Sequence, residues 1–227
     1  MQRKNNLIVL TRSADNNQRI KDELDKTKVG FIDCPLLSYQ EVDINPDFIN
    51  KFNNVVITSK FAAQNIPPTS TLKAWVVGES SAQILKQKGY SIEYCAQNAE
   101  ELKDHLLNAE NEKNLYLCAN HITTQMPSFV HHKVFYRVTY TNILNNEQIS
   151  LFKKYPNYIL LYSVNCAKTL LQLINDYNLQ KYLAKTTIIA LSYKISNVFK
   201  KICKNKVIRN NHESMTSYLK EKLWKKI

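Results

Sequence analysis

The sequence predicts an α/β protein of two similar lobes, each with a mostly parallel sheet flanked by helices. Three observations predict this fold. Short apolar runs alternate with amphipathic segments along the 227 residues. Residues 73–102 contain the complete order of a βαβ unit. The pattern of the first half of the chain then begins again in the second half.

The βαβ stretch is the clearest local signal. Its four pieces are a buried strand, a polar turn, a helix and a second strand, at 74–77, 78–81, 82–88 and 90–94. Gly89 is the usual kind of residue to end the helix. Asn98 is predicted to cap the next helix, where Glu100 and Glu101 suit the positive end of the helix dipole. A ligand edge is therefore expected at the turn after the first strand.

The remaining elements follow from the same rules. Further strands are predicted at 6–10, 30–33, 34–39, 55–57, 114–117, 134–140, 159–161, 187–191 and 207–208. Further helices are predicted at 16–25, from 61 to a break at Pro67-Pro68, from 98 to about 107, and at 165–176, 192–202 and 213–224.

The internal repeat defines the expected lobes. NLIVLTR corresponds to NLYLCAN, NVVITSKFAA to NYILLYSVNCA, WVVGESSAQIL to IIALSYKISNVF, and NAEELKDHL to ESMTSYLKEKL. A simple tandem of two halves fits this pattern. So does an insertion, in which the extended pieces 34–39 and 134–140 run as a pair between the lobes.

Composition narrows the class of protein. Apolar residues make up 44% and charged residues 22%, and no run approaches the ~20 apolar residues that span a bilayer. The N-terminus has no signal-peptide pattern, so a cytoplasmic protein is expected. The five cysteines have no paired spacing and indicate free thiols in a reducing compartment. His131-His132 is interpreted as a surface loop, with no metal site.

The net charge of +12 has three explanations. A lysine- and asparagine-rich composition explains it without any partner and is placed first. A polyanionic small molecule comes second. Nucleic acid comes third, because basic residues are not clustered with aromatic ones on one element.

Small hydroxyl residues recur at the ends of predicted strands. They stand at Thr11-Arg12, Thr58-Ser59-Lys60, Gly78-Glu79-Ser80-Ser81, Tyr162-Ser163 and Ser192. One such turn is explained by helix capping, but five at equivalent strand ends favour binding of a ligand with several negative groups. The usual nucleophile, phosphate-loop and zinc motifs are missing. Glu79 is either a base or a helix N-terminal charge, and Tyr136 or Tyr140 either packs or donates a proton.

At this point the residues resemble the uroporphyrinogen-III synthase family. The resemblance spans nearly the whole chain and rests on short motifs in a fixed order. They are Thr11-Arg12, Pro35-Leu36-Leu37, Ile57-Thr58-Ser59 with Ala62, Val77-Gly78 with Ser81-Ala82, Asn98-Ala99-Glu100 with Leu102, Tyr136, Tyr162-Ser163, and Leu191-Ser192 with Ile195.

The resemblance implies that one lobe is inserted in the other and that a two-stranded linker joins them. The expected boundaries are 1–34 plus 142–227 for one lobe, 43–132 for the inserted lobe, and 35–42 with 133–141 for the linker. It also implies a hydro-lyase of porphyrin and haem biosynthesis. The substrate would be hydroxymethylbilane, an octacarboxylate whose terminal hydroxyl leaves as water while the ring closes with the last pyrrole inverted, through a spiro intermediate. No metal or cofactor is implied.

The resemblance also assigns roles to residues. Tyr136 matches the family tyrosine proposed to assist departure of the hydroxyl. The expected substrate-binding residues are Thr11, Arg12, Thr58, Ser59, Gly78, Ser81, Ser163, Ser192 and Lys194. The sequence differs from the family pattern at 118–121, at Ser192 in place of a more usual glycine, and at 194–196.

The leading hypothesis is a monomeric cytoplasmic enzyme with a small-molecule substrate and neither a nucleic-acid nor a membrane partner. The alternative is a non-catalytic two-lobed binding protein for an anionic small molecule.

Overall fold

The computed structural model describes residues 6–24, 29–69 and 71–224. Its strands are β1 Leu7–Leu10, β2 Gly30–Asp33, β3 Leu37–Glu41, β4 Asn54–Ile57, β5 Lys73–Val77, β6 Ser91–Ala96, β7 Asn114–Ala119, β8 His131–Tyr140, β9 Tyr158–Leu161, β10 Thr187–Ala190 and β11 Asn205–Ile208. Its helices are α1 Ala14–Leu24, α2 Pro46–Ile49, α3 Lys60–Asn65, α4 Glu79–Gln87, α5 Ala99–Leu106, α6 Asn146–Phe152, α7 Val164–Asp176, α8 Tyr193–Ser196 and α9 His212–Trp224. The predicted end of the first helix, at Asp25, lies outside the described residues.

The chain divides into two compact units. The first unit contains the described residues up to Ser38 and from Thr139 onward, and the second contains Tyr39–Val138. The predicted lobe and linker boundaries stay a prediction about how the chain folds.

The first unit has a five-stranded sheet in the order β11-β10-β9-β1-β2, and its neighbouring strands are parallel. One face packs on α1 and α9 through a cluster that includes Leu10, Ile20 and Leu219. The other face packs on α6, α7 and α8 through a larger cluster that includes Ile159 and Leu170. Helices therefore cover both faces, as parallel strands require.

The second unit has a six-stranded sheet in the order β3-β8-β7-β4-β5-β6. From β8 to β6 the neighbouring strands are parallel. At the edge, β3 runs antiparallel to β8, since the Val42 N–H donates to the Phe135 carbonyl and the Thr141 N–H donates to the Leu36 carbonyl. The helices α2, α3 and α4 pack on one face of this sheet and α5 on the other.

The two sheets share one topology. If the first unit is numbered β1, β2, β9, β10, β11 as strands 1 to 5, its order is 2-1-3-4-5. The second unit has the same order when β7, β8, β4, β5 and β6 take those numbers. Along the chain, the second unit begins with strand 3 of this numbering, whereas the first unit begins with strand 1. One arrangement is therefore a circular permutation of the other. This correspondence pairs β1 with β7, β4 with β9 and β5 with β10, as in the sequence repeat.

The predicted fold class is confirmed as a mixed α/β protein with mostly parallel sheets flanked by helices. Two helices, α2 and α6, were not predicted. The α6 helix begins with a capping box, in which Asn145 and Gln148 each bind the backbone of the other, so its signal was present in the sequence.

Two predicted helices have different bounds. Residues 192–202 form only the four-residue α8 followed by a 3₁₀ turn at Asn197–Phe199. The helix predicted at 82–88 begins at Glu79, because Gly78 takes φ +85° and ends β5 sharply. Within the described ranges, no helix is both long enough and apolar enough to cross a membrane.

Candidate functional site

The 2-1-3-4-5 order determines where each unit can bind a ligand. In open parallel sheets ligands bind outside the carboxyl ends of the strands, near the point where the strand order reverses. That point lies between β1 and β9 in the first unit and between β7 and β4 in the second. The predicted residues fall at these strand ends, with Thr11, Arg12, Ser163, Ser192 and Lys194 in the first unit and Thr58, Ser59, Gly78 and Ser81 in the second.

In the second unit, the end of β4 presents hydroxyl groups. The hydroxyls of Thr58 and Tyr116 are 2.8 Å apart, which links the ends of β4 and β7. Ser59 caps α3 by accepting a hydrogen bond from the Phe61 N–H at 3.2 Å. Burial raises the pKa of Tyr116, while its bond to Thr58 acts in the opposite direction, so its phenol stays protonated.

The turn after β5 is shaped by its backbone. The Gly78 N–H donates to the Ala96 carbonyl, and apart from Gly78 and its two chain neighbours no residue has an atom within 4 Å of the place where a Cβ would stand. Ser81 is buried in the first turn of α4. Glu79 lies 3.8 Å from the Cys95 thiol, and burial followed by this carboxylate raises the pKa of that thiol. The open space beside Gly78 would let a ligand approach the backbone closely.

Tyr136 lies on β8 and is 6% exposed. Its ring packs against Phe61 at 5.1 Å and Tyr39 at 6.0 Å between centroids, and those two rings stack on each other. Asn120 fixes the strand around it. The Asn120 N–H donates to the Tyr136 carbonyl, and its side-chain oxygen accepts from the Val138 N–H at 2.8 Å. The backbone on both sides of Tyr136 is therefore held by one residue.

In the first unit, three of the predicted residues are used within the fold. Thr11 is 1% exposed and donates its hydroxyl to the Leu160 carbonyl. Ser163 caps α7 by accepting from the Cys166 N–H, and Ser192 caps α8 by accepting from the Ile195 N–H. Lys194 is exposed in the short α8. The substrate contacts predicted for these residues stay predictions.

Arg12 lies at the point of strand reversal in the first unit. Its backbone N–H donates to the buried Asn17 side chain at 2.9 Å, and its guanidinium carbon lies 4.7 Å from the centre of the Tyr162 ring. The Tyr162 hydroxyl is 3.1 Å from Nδ1 of His212, whose Nε2 is 3.2 Å from a carboxylate oxygen of Glu23. Burial raises the pKa of Tyr162 well above its usual range, and the charge of Arg12 acts in the opposite direction.

Comparison with known proteins decides the family. The family model described as uroporphyrinogen-III synthase HemD matches residues 18–208. The chain belongs to the uroporphyrinogen-III synthase family. A Rickettsia prowazekii (strain Madrid E) relative named uncharacterized protein RP474 is 30% identical, with 90% of this chain and 93% of the relative covered. The family resemblance seen in the sequence is thereby confirmed.

Solved structures with the uroporphyrinogen-III synthase name share the fold. The Helicobacter pylori 26695 uroporphyrinogen-III synthetase aligns with a TM-score of 0.58 at 16% identity, over 96% of this chain and 99% of that one. A mutant uroporphyrinogen III synthase of the extreme thermophile Thermus thermophilus aligns with a TM-score of 0.58 at 10% identity, over 98% of this chain and all of that one. At such identities the likeness establishes the fold alone.

Several residues at the strand ends of this uroporphyrinogen-III synthase family member were not identified from the sequence. Asn120 lies in segment 118–121, which in the sequence is marked only by its departure from the family pattern. Its place directly after a buried strand indicates a residue at the ligand edge of the sheet. The contacts of Tyr162 with His212 and Glu23 join residues far apart in the chain, and no local pattern indicates them. Among the described residues no three His, Cys, Asp or Glu side chains are grouped as metal ligands.

Proposed function

We propose that this protein is a uroporphyrinogen-III synthase that cyclises hydroxymethylbilane to uroporphyrinogen III with loss of water and inversion of the terminal pyrrole. The observation that carries the proposal is the family match over residues 18–208. The polar strand ends of both units support it, because they hold neutral donors and cations suited to a substrate with many carboxylates. The proposal includes a monomeric cytoplasmic enzyme that needs no cofactor.

The proposed reaction depends more on positioning the reacting groups of the substrate than on a nucleophile of the protein. Holding reacting groups in a productive geometry supplies a large part of many rate enhancements. Ser59, Ser163 and Ser192 each cap a helix at its positive end, where an anion is favoured. We assign these turns to binding of carboxylates together with Thr58, Gly78, Ser81, Thr11, Arg12 and Lys194. For Thr11 and Ser81, whose side chains are buried, the contact we propose is through the backbone.

Tyr136 is assigned the proton transfer. In the proposed step its phenol donates a proton to the terminal hydroxyl, which leaves as water, and the pyrrole carbon that closes the ring later releases the proton that restores the phenol. The close packing of Tyr136 against the stacked pair of Phe61 and Tyr39, with Asn120 holding the backbone, supports a fixed position for that phenol. A donor in a fixed position suits general acid catalysis because the location of its proton is already set before the substrate binds.

The test is to supply purified protein with freshly generated hydroxymethylbilane, oxidise the products and separate the type I and type III isomers. Type III product above the no-protein control is expected. Only type I product, which forms without inversion, would overturn the proposed activity. In that case, binding of uroporphyrin III without turnover would support the non-catalytic anion-binding protein.

A further inference from the structure

The strand ends of the first unit contain a line of side-chain contacts that ends at Arg12. It begins at Glu23 near the end of α1, continues through His212 at the start of α9, and reaches the Tyr162 hydroxyl at the end of β9. The face of the Tyr162 ring then lies against the Arg12 guanidinium. The line thus connects α1 and α9, through the residue after β9, to one cation.

The hydrogen bonds in this line have a consistent direction. We assign the Tyr162 O–H as the donor to Nδ1 of His212, 3.1 Å away, because Nε2 of that ring faces the Glu23 carboxylate, which can only accept. The proton of that imidazole is then on Nε2, where it donates to the Glu23 carboxylate. A carboxylate that fixes the tautomer and orientation of a histidine is a common supporting arrangement in sites.

His212 is itself held by the start of its helix. Asn211 accepts a bond from the Ser214 N–H at 2.8 Å and donates its own N–H to the Ser214 hydroxyl at 3.2 Å. This reciprocal pair determines where the first turn of α9 begins. The backbone of His212 is therefore anchored by the start of α9, and its imidazole is held through both ring nitrogens.

Arg12 is held but not neutralised. Its backbone is bound to Asn17 and one face of its guanidinium is covered by Tyr162. In residues 6–24, 29–69 and 71–224, no carboxylate lies within ion-pair distance of Arg12. Stacking on an aromatic ring leaves the N–H edges of a guanidinium available, and those edges match a carboxylate bidentately.

A neighbouring pair shows the contrast. Arg209, after β11, also stacks on a tyrosine, with its guanidinium carbon 4.5 Å from the centre of the Tyr218 ring. Its Nη1, however, donates to the Ile208 carbonyl at 2.9 Å, so that guanidinium is already used to hold the chain. The ring of Tyr218 lies against two cations, Arg209 and Lys222, while the hydroxyl of Tyr162 is tied to His212.

We propose that Glu23, His212 and Tyr162 are positioning residues that hold the Arg12 guanidinium ready to bind a carboxylate of the substrate. The identity of that substrate rests on the proposed function. Tyr162 acts through Arg12 and not by touching the substrate itself. Because these residues act through Arg12, loss of their contacts should change affinity while leaving the chemical step unaffected.

The decisive measurement is the Kd for uroporphyrin III, a stable octacarboxylate, followed by fluorescence titration in a double-mutant cycle of Arg12→Gln and Tyr162→Leu. A cation–π contact of this kind is worth roughly 0.5–2 kcal/mol, so Tyr162→Leu should weaken binding about 2- to 30-fold. Arg12→Gln should weaken binding at least as much, because it removes the guanidinium itself. In the Arg12→Gln background, Tyr162→Leu should add nothing further. Independent, additive losses would overturn the proposal, as would unchanged binding in both single variants.

Matched variants isolate each contact. Tyr218→Leu removes the neighbouring stacked ring and should leave the Kd unchanged. His212→Ala should weaken binding, and His212→Asn should restore much of it because its amide oxygen replaces Nδ1 as the acceptor for Tyr162. Glu23→Gln should have a smaller effect. Its control is Glu93→Gln, which changes an equally exposed carboxylate of the second unit and should leave the Kd unchanged. Equal losses in His212→Ala and His212→Asn would contradict the chain of contacts.

A second readout separates this inference from the proposed activity. The ¹⁵N spectrum of histidine-labelled protein reports the tautomer of each imidazole, and His212 should carry its proton on Nε2. Tyr162→Phe should shift the Nδ1 resonance of His212, with or without catalytic turnover. If the protein makes no type III isomer but the ¹⁵N shift and the cycle behave as described, the proposed function fails and the positioning of Arg12 stands. A His212 proton on Nδ1 would overturn the positioning chain.

Discussion

The strand β4 of the second unit and the strand β9 of the first unit occupy the same place in their sheets. Each is followed by a serine that caps a helix, Ser59 before α3 and Ser163 before α7. The residues just before those caps differ. Thr58 is bound to the phenol of Tyr116, whereas Tyr162 is bound to an imidazole and covers a guanidinium. The capping is common to both units, but the charge at the strand ends is not.

The neighbouring strands show the same contrast. After β7 stands Asn120, whose amide binds the backbone of β8 and so holds Tyr136 in place. After the equivalent strand β1 stands Arg12, which has no ion-pair partner among the described residues. The shared topology fixes where groups are presented, and the residue type at each strand end decides the chemistry. We call the side chains of Thr58, Tyr116 and Asn120 the neutral edge and that of Arg12 the cationic edge. We assign proton transfer by Tyr136 to the neutral edge and a charged contact with one substrate carboxylate to the cationic edge, while the capping turns of both units bind other carboxylates.

The largest effects are expected from matched truncations in the two cores. Ile57 of β4 and Ile159 of β9 are both fully buried, in different hydrophobic clusters. Replacement of either by alanine should lower the free energy of unfolding by about 2–5 kcal/mol. Hydrogen exchange should show the loss of protection confined to the unit that carries the variant. Equal loss across both units would contradict their description as separate compact units and the predicted lobe boundaries.

Tyr136→Phe tests the assignment of the neutral edge. Removal of the proposed general acid should lower kcat about 100-fold, with little change in KM or in the free energy of unfolding. Tyr90→Phe is the matched control in the same unit, since it removes a buried hydroxyl bonded to the Pro67 carbonyl away from the strand ends. Turnover unchanged by Tyr136→Phe would remove the phenol from the mechanism.

The sequence was informative wherever a local pattern was enough. The strand from Gly30 to Asp33 and the cap at Asn98 were predicted from apolar runs and a polar residue at a helix start, and the structure has both. The fold class followed because the strand–helix alternation repeats. The hydrogen bonds from Tyr162 to His212 and from Asn120 to Val138 could not be predicted from the sequence, because they depend on which elements lie next to each other in the fold. Side-chain pairing across distant elements has no periodic signature.

Gly78 and Ser192 follow equivalent strands, β5 and β10, and offer a smaller effect. Gly78 takes φ +85°, while Ser192 is extended and caps its helix with its side chain. Gly78→Ala should cost about 1–2 kcal/mol of unfolding free energy, because the left-handed region is strained for a residue with a Cβ. Ser192→Gly should cost only about a few tenths of a kcal/mol. Urea denaturation of both variants measures the difference, and equal costs would mean that the two turns are not distinguished by backbone conformation.

The smallest effect is a pH dependence that separates the buried thiol of Cys34 from the half-buried thiol of Cys95. Burial, with a further contribution from Asp33, raises the pKa of Cys34 from 9.0 to about 12. The folded protein therefore keeps a proton that the unfolded chain loses above pH 9, so stability falls as the pH rises from 9 towards 12. At pH 9.5 the loss from this thiol is about 1 kcal/mol or less. Cys34→Ala should reduce the fall of the unfolding free energy between pH 9 and 12. The small cavity that it leaves adds a cost that does not depend on pH. Cys95→Ala should reduce the fall by less. A profile of parallel slopes for the wild type and both variants would show that neither thiol titrates differently on folding.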